Sequence, residues 1–170
     1  SCFFVNFALL NIKGLDRHTA LLQNTVRTLP HHETPDIIGI TETWHHPHIT
    51  DHPPLRGHSW IGKPRTTNKN GCTGHGGIGF FIKDNLRTKV TEINTVNHHP
   101  DILWIQILSQ TKTIYMAIVY SSPNNNTNHE EILKCLKRDV TILEKTGIPV
   151  IMGDMNAHLP MITGDKLDRP

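Results

Sequence analysis

Short apolar runs, separated by polar turns, constrain the fold of this 170-residue chain more than any other feature. Strand-forming residues fill 3–10, 36–41, 76–83, 113–120 and 149–153. Runs of this length are typical of buried strands, whereas helices of globular proteins are usually longer. The sequence therefore predicts a fold built on sheets, and the runs at 3–10 and 149–153 are expected to be buried.

Weaker patterns predict three further strands, at 59–61, 88–93 and 101–108. The polar connection at 109–112 joins two apolar runs, which favours a hairpin between 101–108 and 113–120. Residues 43–76 are otherwise rich in Gly, Pro, Asn, Thr and His, a composition typical of surface loops.

Only two segments have the periodicity of a helix. One begins at Asp16 and stops at Pro30, and the other runs from Asn128 to Lys145. Asn128 and Glu131 resemble a capping box at the start of the second helix. Its predicted apolar stripe consists of Leu133, Leu136, Val140 and Leu143. Seven or so strands with two helices indicate an α/β or α+β class, as a single domain over 1–170.

Composition excludes several other classes of protein. A hydrophobic content of 36% and a charged content of 19% argue against disorder and collagen-like repeats. Three cysteines, Cys2, Cys72 and Cys135, at unrelated spacings argue against a disulfide framework. No apolar run approaches the ~20 residues of a membrane-spanning helix, so no membrane partner is expected. A net charge of +2 is compatible with a polyanionic partner.

Polar side chains recur where the predicted strands end. They are Asn11, Glu42, Tyr120, Asp154 and Asn156. In α/β proteins such positions commonly form sites, because the strands are rigid and the loops vary. Two carboxylates placed in this way would together favour a hard divalent cation such as Mg²⁺. Any one of these residues taken alone is equally compatible with the ordinary end of a strand.

Five segments in this order resemble a known family. They are 11–15 (Asn-Ile-Lys-Gly-Leu), 40–43 (Ile-Thr-Glu-Thr), 76–79 (Gly-Gly-Ile-Gly), 119–124 (Val-Tyr-Ser-Ser-Pro-Asn) and 153–158 (Gly-Asp-Met-Asn-Ala-His). Together they resemble the endonuclease/exonuclease/phosphatase superfamily, which includes abasic-site endonucleases and DNase I-like enzymes. The motifs Thr-Glu-Thr-Trp and Gly-Asp-x-Asn-Ala-His are most similar to those of the endonuclease domains of non-LTR retrotransposons. The resemblance implies a two-sheet α/β sandwich of the DNase I-like type.

The resemblance also implies a role for each matched residue. Glu42 would be the principal ligand of Mg²⁺, with Mn²⁺ as a substitute, and Asn11 would sit beside that metal. Asp154 would orient or deprotonate the attacking water. Asn156 and Tyr120 would contact the scissile phosphate.

The implied activity is a DNA endonuclease that nicks target DNA. The nick would leave a 3′-hydroxyl that primes reverse transcription, carried out by a reverse transcriptase domain of the same polypeptide in the nucleus. Two alternatives remain open at this point. One is a phosphatase or phospholipase of the same superfamily, and the other is a degenerate remnant without catalytic activity.

Three departures from the family pattern affect these expectations. Lys13 stands where many relatives have Asn or Asp, and Asn124 lies one residue beyond the commonest spacing, so its substrate contact is tentative. No Ser-Asp-His triplet occurs in the chain. The expected domain is therefore truncated at its C-terminal end, and the 170-residue chain should have little or no nuclease activity.

The loop-rich region also suggests a surface that faces DNA. Its candidate contacts are Trp44, Lys63, Arg65, Lys69 and Lys83. Cations would bind phosphates and the aromatic ring would stack or wedge. An ordinary solvated basic surface is the alternative. The pair Cys72 and His75 could in principle start a zinc site, but no second well-spaced pair completes the pattern.

Overall fold

The computed structural model describes residues 5–45, 55–64, 76–94, 98–109, 111–123 and 126–156. Within them, Ile, Val and Phe recur in the strands, where their side chains pack well on a pleated surface. The elements in chain order are β1 (Phe7–Asn11), α1 (Leu15–Thr28), β2 (Ile37–Thr41), β3 (His58–Lys63), β4 (Ile78–Lys83), a 3₁₀ helix (Asp84–Lys89), β5 (Val90–Ile93), β6 (Ile102–Ile107), β7 (Thr113–Tyr120), α2 (Asn126–Leu143) and β8 (Gly147–Asp154).

The described strands form two sheets of four, and each sheet contains one parallel pair. The first sheet has the order β1-β2-β4-β3, with β1 and β2 parallel. The second sheet has the order β5-β6-β7-β8, with β7 and β8 parallel, and β6 and β7 form the predicted hairpin. A parallel pair needs a long crossover connection, which α1 supplies in the first sheet and α2 in the second.

Three apolar clusters divide the molecule into four layers. Phe80 and Ile118 belong to the cluster between the two sheets, Phe81 packs with α1, and Val119 packs with α2. Neighbouring residues of one strand join different clusters because side chains alternate between the faces of a sheet. The helix–sheet–sheet–helix arrangement confirms the predicted two-sheet α/β sandwich.

Gly39 on β2 allows the two sheets to approach closely. A Cβ atom at this position would lie 2.9 Å from Met152 Sδ and 3.0 Å from Ile118 Cδ1. Any larger residue would therefore press on β7 and β8. Close packing at this point matters for function, because β2, β7 and β8 all lead to the candidate site.

β1 and β8 are more exposed than the sequence predicted. Phe7 and Leu9 are each 41% exposed, and Ile151 is 44% exposed. Each strand lies at the edge of its sheet and, within the described residues, pairs on one side only. The prediction of buried strands at these two positions was therefore wrong, because an apolar sequence does not ensure that a neighbour covers it.

The second helix also differs from its prediction. It begins two residues before Asn128, so this residue lies in the first turn and cannot form the predicted capping box. The Asn128 amide instead donates to Asp101 Oδ2 at 3.4 Å. Ile132 is fully buried, whereas Leu133 is 46% exposed, so Ile132 takes the core position predicted for its neighbour.

Candidate active site

The candidate site lies where the parallel strands of both sheets end. In β1 and β2, Asn11 is opposite Thr41, and in β7 and β8, Tyr120 is opposite Asp154. Because parallel strands run in the same direction, the residues at their carboxyl ends lie side by side. The packing of the two sheets brings these two ends together at one rim, where Asn11 contacts Asp154.

Asn11 joins the two carboxylates of the site. Its Nδ2 atom donates to Glu42 Oε1 at 2.7 Å and to Asp154 Oδ2 at 2.7 Å. Both carboxylate oxygens therefore lie within hydrogen-bond distance of one nitrogen atom. Two negative charges this close repel each other, and the bridging N–H groups offset part of that repulsion.

The loop after β2 holds Glu42 through its backbone as well. Gly14 N donates to Glu42 O at 2.9 Å, and Thr43 N donates to Gly77 O at 3.1 Å. The Glu42 residue is only 8% exposed. The backbone that carries Glu42 is thus anchored between the loop after β1 and the residues just before β4.

Left-handed backbone conformation is concentrated at this site. Among the described residues, the non-glycine residues with positive φ are Lys13 (47°), Glu42 (55°), Trp44 (57°) and Asn156 (44°). Such a conformation costs about 1–3 kcal/mol in a non-glycine residue and is found preferentially at functional sites. All four residues lie just after β1, β2 or β8, so the strain coincides with the rim that the strand ends form.

Asp154 has a different partner on each carboxylate oxygen. Its Oδ2 accepts from Asn11, and its Oδ1 accepts from Asn156 N at 3.2 Å. Asn156 Nδ2 donates to Ser121 O at 2.8 Å, and Ser121 N donates back to Asp154 O at 2.8 Å. The Ser121 hydroxyl is 3.3 Å from His129 Nδ1 on α2. These contacts fix the end of β8 against the end of β7.

Tyr120 is buried beside the two carboxylates. Burial raises the pKa of Tyr120 to about 12, with further contributions from the negative charges of Glu42, Asp154 and Asp101, against a hydrogen bond with Ser122. The phenol therefore stays protonated at neutral pH. It can donate a hydrogen bond to an anion, but it cannot accept a proton from water as a base.

The oxygen atoms available as metal ligands at the rim fit a hard divalent cation. Glu42 would supply a carboxylate oxygen and Asn11 its amide oxygen once the side chain turned over, with the Asp154 carboxylate 2.7 Å from the Asn11 nitrogen. Within the described residues, no three or more His, Cys, Asp or Glu side chains form a group that could hold a metal. A cation at the rim would use this mixed set with water and phosphate oxygens, as Mg²⁺ commonly does with one or two carboxylates.

The structure brings all five predicted catalytic residues to one place. They are Asn11, Glu42, Tyr120, Asp154 and Asn156. Trp44 lies against Glu42, at the same rim. The predictions for Arg65, Lys69, Asn124, Cys72 and His75 fall outside the described residues.

The two described lysines of the predicted DNA-facing surface make contacts within the fold. Lys63 Nζ donates to Ile102 O at 2.7 Å, which links β3 to the second sheet. Lys83 Nζ forms an ion pair with Asp36 Oδ1 at 3.1 Å. Both ammonium groups are engaged by the protein itself, which weighs against a DNA contact at these positions.

The sequence predicted no role for Ser121 or His129, although both support the site. Ser121 stands directly after Tyr120 within a matched motif, so a signal was present. His129 reaches the site only because α2 packs against the second sheet. No local pattern in the sequence could have indicated this contact.

Family comparison agrees with this geometry. The profile of the Endonuclease/Exonuclease/phosphatase family matches residues 8–169. This chain belongs to that family. The matched region includes all five residues of the site, and the predicted membership of the DNase I-like superfamily is confirmed.

Solved structures of the family share this fold at low identity. AP endonuclease LMAP from Leishmania major has a TM-score of 0.65 and 14% identity, covering 88% of this chain and 54% of that chain. The endonuclease domain of TRAS1, a telomere-specific non-LTR retrotransposon, has a TM-score of 0.55 and 17% identity, covering 92% and 61%. A mannosyl-6-phosphatase from Bacteroides thetaiotaomicron has a TM-score of 0.60 and 11% identity, covering 92% and 67%.

These likenesses concern the fold, and the chain spans about half to two thirds of the length of these structures. A search of curated proteins gave no significant match. Neither α-helix in the described ranges has the length and apolar composition that crossing a lipid bilayer requires.

Proposed function

We propose that this chain forms part of a divalent-metal-dependent phosphodiesterase, a DNA endonuclease of the non-LTR retrotransposon type. The observation that carries the proposal is the Asn11 amide, which bridges Glu42 and Asp154 at the rim shared by both sheets. Hydrolysis of a phosphodiester needs an activated water and neutralisation of charge on the phosphate. Two adjacent carboxylates with a neutral donor between them suit both requirements. The motifs at residues 41–44 and 153–158 resemble those of retrotransposon endonucleases and support this assignment.

Each residue of the site has a distinct proposed role. Glu42 and Asn11 would hold Mg²⁺, or Mn²⁺ in its place, and the cation would supply positive charge that neutralises the phosphate. Asp154 orients the attacking water and takes its proton, because contacts on both of its oxygens fix its direction. Asn156 and Tyr120 donate hydrogen bonds to phosphate oxygens. The Asn156 amide carries a second N–H besides the one bonded to Ser121.

The proposed biological role is priming. A nick in one strand of target DNA leaves a 3′-hydroxyl, from which a reverse transcriptase domain of the same polypeptide extends a copy. Chromosomal DNA as the substrate places this step in the nucleus. Similarity to retrotransposon endonucleases supports the role, and DNA is accordingly the proposed partner.

We also propose that the complete domain has a further segment packed on β1 and β8. These two edge strands lie on the same side of the sandwich and expose Phe7, Leu9 and Ile148 by 41–45%. Burying three such side chains under another segment would stabilise the fold by several kcal/mol, at about 25 cal/mol per Å² of apolar surface. The Ser-Asp-His motif expected from the family would belong to that segment. The 170-residue chain should therefore nick DNA weakly or not at all.

Plasmid nicking tests the proposed function. If the reading frame continues, the longer gene product should convert supercoiled plasmid to the nicked form only with Mg²⁺ or Mn²⁺. Glu42→Ala should abolish nicking and leave the circular dichroism spectrum unchanged, and full activity in that variant would refute the proposal. Phosphate release from inositol phosphates or cleavage of sphingomyelin, without nicking, would favour the phosphatase or phospholipase alternative. DNA binding without any hydrolysis would favour a non-catalytic remnant.

A further inference from the structure

Trp44 supplies a second hydrogen-bond donor to the Glu42 carboxylate. Its indole Nε1 donates to Oε2 at 3.2 Å, while Asn11 Nδ2 donates to Oε1 at 2.7 Å. Each carboxylate oxygen therefore has its own donor, one from the loop after β2 and one from the end of β1. Two donors fix the rotation of a carboxylate plane, whereas a single donor leaves it free to turn.

The indole is itself held in position. Trp44 N donates to Gly76 O at 3.0 Å, which anchors the backbone of this residue next to β4. Its ring lies over Gly14, where an added Cβ atom would come within 3.0 Å of Trp44 Cε3. Gly14 has a φ of 103°, so this position favours glycine for its backbone as well as for its size. A side chain confined in this way presents its N–H in one direction.

We propose that Trp44 is a positioning residue for Glu42, which orients the carboxylate toward a divalent cation and senses its binding through the indole N–H. This inference rests on the proposed function, since it requires the cation to bind at Glu42. Hydrogen-bonding partners of a metal-binding carboxylate restrict its orientation, and their loss commonly costs roughly 10–100-fold in metal affinity. The role is different from the stacking contact with DNA that the sequence predicted for Trp44.

The chain offers a matched control for this contact. Trp104 Nε1 donates to Asp139 Oδ2 at 2.9 Å, in the cluster between the second sheet and α2. Trp104→Phe therefore removes the same kind of indole–carboxylate bond away from the site. Trp60, packed on Phe81 with 4.6 Å between ring centroids, is the third tryptophan of the chain.

The first experiment measures Mn²⁺ affinity from the paramagnetic resonance signal of the free ion. Trp44→Phe keeps an aromatic ring but removes the donor, so its Kd should rise roughly tenfold, while Trp104→Phe should leave the Kd unchanged. An unchanged Kd in Trp44→Phe would overturn the inference. Glu42→Gln separates the two proposals, because Mn²⁺ binding that survives this change contradicts the proposed function itself. Binding lost in Glu42→Gln but unaltered in Trp44→Phe contradicts the positioning role alone.

A second measurement does not depend on the folding of Trp44→Phe. The ¹⁵N-labelled wild-type chain should give three indole N–H resonances, assigned through the Trp60→Phe and Trp104→Phe spectra. Titration with Mg²⁺ should shift the Trp44 resonance and leave the other two in place. A Trp44 resonance that stays fixed while Mg²⁺ binds would overturn the inference. A shift caused by a DNA duplex but not by Mg²⁺ would also overturn it, in favour of the stacking role.

Discussion

At the scale of single residues, the site depends on one amide nitrogen. Asn11 Nδ2 contacts both Glu42 and Asp154, which come from different sheets. The amide therefore offsets the repulsion between the carboxylates and also ties the two sheets at the rim. A cation bound between the same carboxylates would offset that repulsion more strongly than a neutral amide. Asn11 thus contributes to the stability of the fold when no metal is bound. When a metal is bound, it contributes to the geometry of the cation site.

Asn11→Ala should lower the free energy of unfolding by about 1–3 kcal/mol in the presence of a chelator, because two carboxylates lose their shared donor. Mg²⁺ should recover part of this loss. Urea denaturation with and without Mg²⁺ measures both effects. Asn6→Ala is the matched control, since within the described residues its side-chain amide donates to a backbone carbonyl, His32 O, at 3.2 Å and not to a carboxylate. A loss in Asn11→Ala that Mg²⁺ does not reduce would contradict this account.

Tyr120 is expected to act as a donor and not as a base. The pKa of Tyr120 is raised to about 12 by burial and by the nearby carboxylates, so the phenol stays protonated under assay conditions. In an alkaline absorbance titration, Tyr120→Phe should remove a tyrosine transition near pH 12. Loss of an ordinary tyrosine titration instead would contradict the assignment. In the active gene product, Tyr120→Phe should lower kcat by roughly 10²–10³-fold, the cost of one preorganised donor.

At the scale of elements, the spacing of β8 from β7 sets the position of Asp154. A Cβ atom on Gly153 would overlap the Val119 carbonyl oxygen, and one on Gly147 would overlap the Thr113 carbonyl oxygen. The two glycines therefore allow both ends of β8 to approach the backbone of β7 closely. Because Asp154 follows Gly153 directly, any widening of this gap moves the carboxylate relative to Asn11.

Gly153→Ala should cost about 1–3 kcal/mol of stability from overpacking, and it should also weaken Mn²⁺ binding by displacing Asp154. Gly57→Ala is the control, because Gly57 has a positive φ of 78° and no atom of the described residues lies within 4 Å of the added Cβ. That control should lose stability through backbone strain but keep its Mn²⁺ affinity. Denaturation and Mn²⁺ titration of both variants measure the two effects. Wild-type Mn²⁺ affinity in Gly153→Ala would show that the spacing does not control the site.

Individual elements also differ in how far the sequence could predict them. The apolar run at 76–83 and the hairpin of β6 and β7 were predicted because their signals are local. The exposure of β1 and β8 was not predicted, because burial depends on which other segments pack against a strand and not only on the strand's own residues. The contact of Trp44 with Glu42 also escaped prediction, since it requires a left-handed backbone conformation at both Glu42 and Trp44, on either side of Thr43.

At the scale of the whole molecule, a second polar link joins the sheets at the same end of the sandwich as the site. Lys63, at the end of β3, donates to Ile102 O at 2.7 Å and to His99 O at 3.4 Å. Burial lowers the pKa of Lys63, against the charges of Glu92, Asp101 and Asp139. The sandwich is therefore held by its apolar core between the sheets and by polar contacts from Asn11 and Lys63.

The pH dependence of stability should reveal Asp101 in this link. Burial raises the pKa of Asp101 above its ordinary 3.8, against the effects of Asn128, His99 and Lys63. A carboxyl with a raised folded-state pKa contributes stability that is complete below its unfolded-state pKa and is lost as pH rises through the folded-state pKa. Asp101→Asn removes that loss, so the variant should gain stability relative to wild type between acidic and neutral pH. Urea denaturation across this range measures the difference, and a relative loss would show that ionised Asp101 stabilises the fold.

Apolar runs and two helical patterns throughout the chain predicted an α/β or α+β class. The two-sheet sandwich and the residues that share the site were implied by the resemblance of five segments to the family. The contacts between side chains at the rim could be identified only from the structure. Bridging by Asn11, the supporting contact of His129 and the engagement of Lys63 all depend on how distant segments pack.

The central claim is that Glu42 and Asn11, beside the Asp154 carboxylate, form a divalent-cation site, and Mn²⁺ binding to the 170-residue chain tests it most directly. The measurement compares wild type with Glu42→Gln and with Asp84→Asn, whose exposed carboxylate accepts from Ser59 away from the rim. We expect wild type and Asp84→Asn to bind Mn²⁺ equally and Glu42→Gln to lose binding. Absence of binding in wild type, or binding that Glu42→Gln leaves intact, would contradict the claim.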